Sequence, residues 1–290
     1  MNPKLYIVIA VHNRVNVTLK CLEQLNRQHW KNFKVVVVDD GSTDGTSEKI
    51  VQQYPQTLLL KGTGDWWWTK SVNAGIQHAL DNGATHVLLL NDDTIFNDDY
   101  LDILLSDIRA NPDAVIGSLN LTLETPHKVY FSGTSGFDPL TFKHYRYHKT
   151  MAAYDPEEFK GTRESRYLPA RGMLVPASAF RKIGLLDEVN FPQYFSDVDF
   201  SMKAVRAGIR CIISYNAILY TPVNSTGAGD FYKKEPARKF FRSFSNPYSK
   251  RHLGTSYRFV RNHSYKLLAP VSYLFYQGRI LGTFVKSRLS

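Results

Sequence analysis

The sequence predicts an α/β fold with a mostly parallel, doubly wound central sheet. Four apolar segments of strand length alternate with segments of helical periodicity between residues 4 and 113. The fourth segment contains four consecutive apolar residues, Val87 to Leu90, as in a strand buried on both faces, and two adjacent aspartates, Asp92 and Asp93, follow it closely. Right-handed crossovers between successive strands then give a parallel sheet that is flanked by helices.

The clearest elements lie in the first half of the chain. Strands are expected at residues 4–11, 33–38, 57–61 and 85–90, and helices at residues 15–28, beyond residue 43 and at residues 69–81. Ser42 or Thr43 is expected to cap the second helix. Because strand-to-helix loops of such a sheet leave at one edge, the loops after these four strands are expected to converge.

The converging loops carry polar and aromatic residues. The four groups, in chain order, are His12-Asn13-Arg14, Asp39-Asp40, Gly62 to Trp68, and Asn91-Asp92-Asp93. Together they can form a nucleotide-sized crevice that offers oxygen ligands for a divalent cation, a guanidinium and aromatic faces. Acidic residues at such positions also serve in turns and helix caps, and we expect Asp39 or Asp44 to do only that.

The second half is less regular. Short strands are expected at residues 114–119 and 129–132, and a loop-rich region at residues 133–164. A strand follows within residues 168–175, then helices at residues 177–183 and from Asp197 to about 207, and a strand at residues 210–219. Asp197 and Asp199 stand at a helix start, where the helix dipole favours carboxylates even without catalysis.

Composition narrows the choice of partner and compartment. A chain of 290 residues with 43% hydrophobic content can bury a large core, and its net charge of +10 indicates an anionic partner. That partner can be nucleic acid, an anionic membrane or a phosphorylated substrate. Cys21 and Cys211 lie in apolar surroundings without metal-ligand spacing, so we expect buried, reduced thiols and a cytoplasmic protein.

Neither a signal peptide nor a membrane span is expected. The chain enters its first strand without a charged leader and a long apolar segment. The most apolar stretch of the tail, residues 267–285, is interrupted by Pro270, Gln277 and Arg279.

Five segments, in this order and spacing, resemble family 2 glycosyltransferases of the GT-A (Rossmann-like) fold. The segments are Val11-His12-Asn13-Arg14, Val38 to Asp44, Asn73-Ala74-Gly75, Leu90-Asn91-Asp92-Asp93, and Tyr194 to Asp199. The resemblance covers about residues 4–225. The Trp66-Trp67-Trp68-Thr69 loop and the Asn-Asp-Asp form are most similar to bacterial members that transfer rhamnose or similar sugars onto cell-surface polysaccharides.

The resemblance implies an inverting, single-displacement sugar transfer. The donor would be dTDP-rhamnose or a UDP-hexose, and the acceptor a growing surface glycan or a polyprenyl-linked sugar. Asp93, with Asp92, would hold Mg²⁺ or Mn²⁺ on the diphosphate, and Asp197 would be the catalytic base. The other implied donor-site residues are His12, Asn13, Arg14, Asp40, Trp68, Lys70, Asn73 and Arg171.

This sequence departs from the family pattern at several positions. Asn91 replaces the first carboxylate of the metal motif, so metal affinity is expected to be modest. Ser196 stands where an acidic residue usually precedes the base, and Val72 stands where many relatives carry an arginine. A late histidine near residues 222–225 is also missing. Lys70 or Arg171 is expected to supply the phosphate contact.

We predict two domains. Residues 1–230 form a catalytic domain, with a nucleotide-binding half at 1–113 and an acceptor half at 114–230, and residues 231–290 form a basic, aromatic helical extension. The extension can lie on an anionic membrane, which places the protein peripherally at the inner face of the cell membrane, or pack on the catalytic domain as a solvated helix. The histidines at 144, 148, 252 and 263 have no metal-ligand spacing, and surface or packing roles are expected for them.

Two other functions fit parts of the sequence. A sugar nucleotidyltransferase also uses carboxylates, a metal ion and an activated sugar. A basic, aromatic protein can also bind nucleic acid. We expect no nucleic-acid partner here, because the adjacent aspartates would repel a phosphate backbone.

Overall fold

The computed structural model describes residues 3–222 and 236–289. Within these residues, one large sheet carries nine strands, and a separate hairpin carries two more. The strands of the large sheet are β1 (Leu5–Val11), β2 (Phe33–Asp39), β3 (Leu58–Lys61), β4 (His86–Leu89), β5 (Val115–Thr122), β6 (Val129–Phe131), β9 (Thr162–Glu164), β10 (Met173–Pro176) and β11 (Cys211–Thr221). The hairpin consists of β7 (Thr134–Asp138) and β8 (Lys143–Arg146).

Helices cover both faces of the sheet and form the C-terminal region. The helices are α1 (Val15–Arg27), α2 (Thr46–Gln53), α3 (Trp67–Asp81), α4 (Tyr100–Ala110), α5 (Ala177–Ile183), α6 (Ser196–Arg206), α7 (Ala237–Arg242), α8 (Leu253–His263) and α9 (Ala269–Leu289). The predicted boundary between residues 230 and 231 lies outside the described residues.

The strands follow the order β3-β2-β1-β4-β10-β5-β11-β9, with β6 paired to β5. The first four are mutually parallel, and β5 and β11 are parallel to each other. Strand β10 runs antiparallel between β4 and β5, and β9 is antiparallel at the edge. The mostly parallel sheet is therefore confirmed, although β4, which is buried along its whole length, has one antiparallel neighbour.

The register of β10 against β4 positions part of the candidate site. Met173 lies opposite Leu89, so the residues that precede β10 lie beside the residues that follow β4. In an antiparallel pair, the incoming end of one strand meets the outgoing end of the other. The segment at residues 170–172 is thereby brought to the edge where Asp92 and Asp93 emerge.

Two apolar clusters form the core, one on each face of the sheet. Alternate residues of β1 supply them, because successive side chains of a strand point to opposite faces. Tyr6 and Val8 pack with residues of α3 and α6, whereas Leu5, Ile7 and Ile9 pack with residues of α1 and α4. Each cluster is therefore closed by helices on its outer side, which leaves the loop ends of the strands for the site.

The structure corrects two sequence-based expectations, one for the start of α2 and one for residues 133–164. Helix α2 begins at Thr46, with Gly45 at its N-cap in a left-handed conformation (φ +85°), rather than directly after Ser42 or Thr43. Asp44 delays the helix, because its carboxylate accepts hydrogen bonds from the backbone of Thr46 at 3.1 Å and Val15 at 2.9 Å. Residues 133–164 are also more ordered than expected, since they contain the β7–β8 hairpin and β9.

The C-terminal helices pack on the rest of the protein through part of their surface. Phe259 and Val260 of α8 are buried in one of the core clusters, and Ser272 of α9 donates a hydrogen bond to the carbonyl of Pro139 at 3.1 Å. In the described part of the chain, no helix is both long and apolar enough to cross a membrane. Cys21 and Cys211 are buried free thiols, as expected.

Candidate functional site

The two carboxylates that follow β4 are buried, with 4% of Asp92 and 9% of Asp93 exposed. Arg14, at the start of α1, places its Nε 3.3 Å from Oδ2 of Asp92 and its Nη2 3.5 Å from Oδ2 of Asp93. One helical turn later, the hydroxyl of Thr18 donates to Asp92 at 3.0 Å. The loops after β1 and β4 therefore converge as predicted.

Burial makes the carboxylate of Asp92 costly to charge. It raises the pKa of Asp92 to about 6, the guanidinium of Arg14 acts in the opposite direction, and the neighbouring charge of Asp93 raises the pKa further. Two buried carboxylates in sequence repel each other unless cations lie beside them. The pair would therefore gain from an added positive charge.

A second guanidinium, that of Arg171, contacts the acidic pair at Asp93. Its Nη2 lies 3.8 Å from Oδ1 of Asp93, and its Nη1 donates to the hydroxyl of Thr221 at 3.1 Å. The guanidinium also lies over the ring of Tyr130, 5.7 Å from the centroid. With a side chain only 10% exposed, Arg171 is a fixed cation, and of the two candidates for the phosphate contact it is the one beside the acidic pair.

Asp40 organises the loop that carries the tryptophans. Its Oδ1 accepts from the backbone N–H of Gly64 at 2.8 Å, and its Oδ2 accepts from that of Trp67 at 2.9 Å. The ring nitrogen Nδ1 of His12 lies 2.5 Å from the backbone oxygen of Asp40. Asp40 thus joins the loops after β1, β2 and β3 into one structure.

A cavity of about 300 Å³ lies between these loops. Trp67 and Trp68 both line it. Trp67 also stacks on Tyr248 of the C-terminal region, with 3.5 Å between ring centroids. The cavity is further lined by His12, Arg14, Asp40 and Gln193.

Other polar residues of these loops have structural partners. The side-chain oxygen of Asn13 accepts from the backbone N–H of Thr43 at 2.7 Å. Oδ1 of Asp39 accepts from the backbone N–H of Ser42 at 2.9 Å. The contacts of Asp39 and Asp44 confirm that they serve in turns and at helix starts.

Asp197 stands in the first turn of α6. Its Oδ2 accepts from the backbone N–H of Ala170 at 2.9 Å, and its Oδ1 accepts from that of Val198 at 2.8 Å. Burial raises the pKa of Asp197, while these hydrogen bonds and the charge of Arg171 hold part of the rise back. A carboxylate with a raised pKa is a better proton acceptor near neutral pH than an ordinary aspartate.

The segment before Asp197 is tied to the start of α3. The hydroxyl of Thr69 donates to the carbonyl of Phe191 at 2.6 Å and lies 2.8 Å from the hydroxyl of Ser196. The backbone N–H of Trp68 donates to the side chain of Gln193 at 3.1 Å. These hydrogen bonds therefore join the loop that carries the tryptophans to the segment that leads to Asp197.

Helix α8 holds the residues on either side of Asp197. The ring of Phe195 stacks on Phe259 at 4.7 Å, and Asp199 lies 2.9 Å from Nε2 of His263. Burial alone would raise the pKa of Asp199, but the contacts with His263 and Lys203 outweigh it and lower the pKa. His263 has a packing role, as expected, although its pairing with Asp199 was not predicted.

Two predicted donor-site residues are engaged elsewhere. Lys70 is exposed, with its Nζ 5.1 Å from the ring centroid of Trp66. The side-chain amide of Asn73 donates to the carbonyl of Leu186 at 2.8 Å and to the carboxylate of Glu188 at 2.7 Å. The structure thus uses Asn73 to fasten α3 to the segment that precedes α6.

Sequence reasoning missed two contributors to the site, Thr18 and Gln193. Thr18 could have been found, because a residue four positions after Arg14 in a helix lies on the same face. Gln193 carried no comparable signal, since its partner Trp68 is 125 positions away in sequence.

The acidic pair fits a cation that is held mainly by its substrate. In the described ranges no three His, Cys, Asp or Glu residues come together as metal ligands. Magnesium commonly takes one or two carboxylates and completes its shell with substrate phosphates and water. Asp92 and Asp93 suit that arrangement by their oxygen ligands, and Arg14 and Arg171 flank them where phosphate charge would lie.

Comparison with known proteins identifies the family. The family model described as glycosyl transferase family 2 matches residues 6–163, more than half of the chain. This chain belongs to glycosyl transferase family 2. The chain is similar to glycosyltransferase GlyA of Streptococcus pneumoniae, with 27% identity over 139 residues. The match covers 45% of this chain and 19% of the relative. It therefore spans only a small part of that relative.

A mycobacterial relative matches over a longer region. The N-acetylglucosaminyl-diphospho-decaprenol L-rhamnosyltransferase of Mycobacterium tuberculosis is 28% identical over 224 residues, which cover 71% of this chain and 72% of the relative.

Solved structures show the fold. The crystal structure of GalNAc-T7 with UDP, GalNAc and Mn²⁺ matches 92% of this chain and 56% of that chain with a TM-score of 0.62 at 12% identity. The structure of S. aureus TarS residues 1–349 matches 98% of this chain and 90% of that chain with a TM-score of 0.56 at 15% identity. The predicted GT-A fold is confirmed.

Proposed function

We propose that this family 2 protein is an inverting glycosyltransferase that moves rhamnose or a hexose from a dTDP- or UDP-linked donor. The acceptor is a growing cell-surface glycan or a lipid-linked sugar. The observation that carries the proposal is the segment at residues 170–171, which contacts Asp197 through the backbone of Ala170 and Asp93 through the side chain of Arg171. A single displacement needs the base and the site of the leaving diphosphate around one sugar, and this short segment contacts both.

The cavity beneath the tryptophan loop is the proposed nucleoside site. Trp67 and Trp68 offer aromatic faces for stacking, and His12 and Asp40 offer polar atoms at the same wall. Arg14 lines this cavity and also contacts Asp92 and Asp93. A donor whose nucleoside fills the cavity would therefore have its diphosphate between Arg14 and Arg171.

Asp93, with Asp92, would hold Mg²⁺ or Mn²⁺ at that diphosphate. The bound cation would neutralise the negative charge that develops on the leaving nucleoside diphosphate. The similar GalNAc-T7 structure was solved with Mn²⁺, which supports a divalent cation.

Asp197 is the proposed base. In the reaction its carboxylate takes the proton from the acceptor hydroxyl as that oxygen attacks the anomeric carbon of the sugar. The bond from the sugar to the diphosphate breaks on the opposite side, so one displacement inverts the configuration. The two backbone N–H groups that bind the carboxylate hold it in one orientation.

The proposed place of action is the cytoplasmic face of the cell membrane. The supporting features are the basic C-terminal helices and the exposed apolar residues of α9, of which Leu274 is 72% exposed. The mycobacterial relative is named for a sugar linked to decaprenol, which also supports a lipid-linked acceptor.

A donor screen tests the proposal. The full chain is incubated with UDP- and dTDP-linked sugars and Mg²⁺ or Mn²⁺, and nucleoside diphosphate released by slow hydrolysis or transfer is quantified. We expect release from one nucleotide class only, and reduced release by Asp93→Asn when the metal is limiting. Pyrophosphate release from a nucleoside triphosphate and a sugar phosphate would indicate a nucleotidyltransferase instead. Metal-independent DNA binding that weakens steeply with salt would indicate a nucleic-acid-binding protein.

A further inference from the structure

A second cavity, of about 540 Å³, lies between the β7–β8 hairpin and the C-terminal helices. Basic side chains dominate its polar lining, and none of the described residues that line it is Asp or Glu. The five basic residues are Lys143, Arg146, Lys250, Arg251 and Arg279. Such a concentration of like charge in one concave site is typical of a site for an anionic group.

Two of the guanidinium groups have fixed positions. Arg279 donates from Nη2 to the carbonyl of Phe142 at 2.6 Å, and the guanidinium of Arg251 lies 4.7 Å from the ring centroid of Phe240. Asp138 acts on Arg279 from within the hairpin, but its carboxylate is bound by Thr141 at 2.6 Å. The cavity therefore holds preorganised cations, which is what an oxyanion such as a phosphate group requires.

The ionisation of His144 is consistent with this charge. The pKa of His144, which lies on the cavity wall, is lowered to about 4, first by burial and then by the charges of Arg146 and Arg279.

The cavity borders the segment that precedes the candidate base. Phe195 lines it, lies two residues before Asp197 and has a left-handed backbone (φ +77°). Neither Arg14 nor Asp93, which belong to the proposed donor site, is among the lining residues. The cavity is therefore separate from the proposed donor site and is available to the acceptor.

An apolar groove continues from the cavity along α9. It measures about 780 Å³, and it shares Arg279 and Thr283 with the cavity. Leu274 and Phe275 line it and are 72% and 47% exposed. The groove is open at Gly278 and Gly282, where a Cβ atom would meet nothing within 4 Å. One continuous surface thus passes from clustered cations to exposed apolar side chains.

We propose that the cavity and groove bind the acceptor, and that this acceptor is an amphiphile with a phosphate or diphosphate group in the cavity and an apolar chain along α9. The inference rests on the proposed function; it selects the lipid-linked acceptor and gives it a binding site. An apolar chain bound along α9 would remove the exposed side chains of Leu274 and Phe275 from water, which is favourable. Phe195 in the cavity wall sets the charged group beside the segment that leads to Asp197.

Soluble probes separate the two parts of the ligand. Titration calorimetry on the full chain compares farnesyl diphosphate, inorganic pyrophosphate and farnesol, all below their aggregation limits. We expect farnesyl diphosphate to bind at least about ten-fold more tightly than either fragment, equivalent to about 1.4 kcal/mol. Equal affinity for farnesol and farnesyl diphosphate would overturn the cationic site.

Matched variants locate the binding. The double variant Lys143→Gln/Arg146→Gln should weaken farnesyl diphosphate binding by about ten-fold or more, since each removes a charge-assisted contact. The control Lys160→Gln/Arg163→Gln removes two cations that do not line the cavity and should have no effect. Leu274→Asp should weaken farnesyl diphosphate but not pyrophosphate, whereas Val51→Asp on the exposed face of α2 should change neither.

Two further readouts distinguish other occupants. Binding to anionic vesicles without binding to soluble farnesyl diphosphate would show a membrane-docking face and overturn the acceptor site. A dimer that dissociates on Leu274→Asp with unchanged probe binding would show an interface between copies and overturn the groove. Donor hydrolysis is measured in every variant: if it is absent from the wild type, the proposed function fails, whereas intact hydrolysis without probe binding overturns only the acceptor site.

Discussion

Arg171 reaches Asp93 across the edge of the sheet, with 3.8 Å between its Nη2 and Oδ1 of the carboxylate. The residue before it, Ala170, donates its backbone N–H to Asp197 at 2.9 Å. One short segment before β10 therefore links the acidic pair after β4 to the candidate base in α6. This link depends on the antiparallel insertion of β10 beside β4.

Replacing Arg171 by glutamine should change the pH dependence of the reaction. The charge of Arg171 is one of the influences that lower the pKa of Asp197, so its removal raises that pKa further. A base must be ionised, and activity is lost as the pH falls through its pKa; the acid limb of kcat should therefore move to higher pH. The donor KM should rise by about ten-fold or more, as expected for one charge-assisted contact of roughly 1.5–3 kcal/mol.

The pH profiles of kcat for wild type, Arg171→Gln and Arg27→Gln provide the measurement. Arg27 forms only exposed ion pairs at the end of α1 and should leave the profile unchanged. An acid limb at the same pH in Arg171→Gln would show that Arg171 does not act on the base.

Gly172→Ala should destabilise the protein and displace Arg171. Gly172 has φ +76°, and a Cβ atom there would lie 2.5 Å from Leu219, 2.7 Å from Ser118 and 2.8 Å from Tyr100. Left-handed strain and overpacking together should lower the free energy of unfolding by about 2–4 kcal/mol. At Gly161, with φ +69° and nothing within 4 Å of a Cβ, the same change should cost only about 1 kcal/mol. Equal urea midpoints for the two variants would contradict the packing described.

Asp199→Asn should weaken the attachment of α8 to α6. Removing one partner of a buried ion pair costs about 3–5 kcal/mol, and we expect the lower end because Lys203 is 34% exposed. The folded protein lowers the pKa of Asp199, so the stabilisation is present above the ordinary value of 3.8 and is lost as the pH falls through the lowered value. The stability difference between wild type and variant should therefore shrink in acid.

Urea unfolding at several pH values measures this difference. Glu164→Gln is the matched control, since it removes an exposed pair with Arg210 at 2.8 Å and should cost less than about 1 kcal/mol. A difference that is constant with pH would contradict the assigned ion pair.

Chelation should stop the reaction. EDTA should abolish release of nucleoside diphosphate, and added Mn²⁺ or Mg²⁺ should restore it. Asp93→Asn should raise the metal concentration for half-maximal rate by about ten-fold or more, because it removes one of two carboxylates available to a hard cation. The control variant Asp113→Asn, at an exposed position, should leave the metal concentration for half-maximal rate unchanged. Full activity in EDTA would rule out the metal role of the acidic pair.

Local patterns predicted the parts of the site that topology brings together. Apolar periodicity located β1, β2 and β4, and parallel strands oblige their loops to leave at one edge. The meeting of Arg14 with Asp92 and Asp93 follows from that rule, and the structure shows it at 3.3 and 3.5 Å.

Contacts between distant segments could not be predicted in this way. Arg171 reaches Asp93 because β10 is antiparallel, and a short strand carries no signal for its direction. Asp199 and His263 are 64 positions apart, and neither has a local pattern that indicates the other. The start of α2 was misplaced because Asp44 binds the backbone of both α1 and α2, which is a tertiary arrangement.

The role of Asp197 is tested most directly by the Asp197→Asn variant. Transfer to the acceptor and dissociation of the donor are measured in the same preparations of wild type and variant. We predict a fall in kcat of about 10²–10⁴-fold, the usual contribution of a general base, with donor affinity nearly unchanged. Transfer at the wild-type rate by Asp197→Asn would contradict the proposed mechanism.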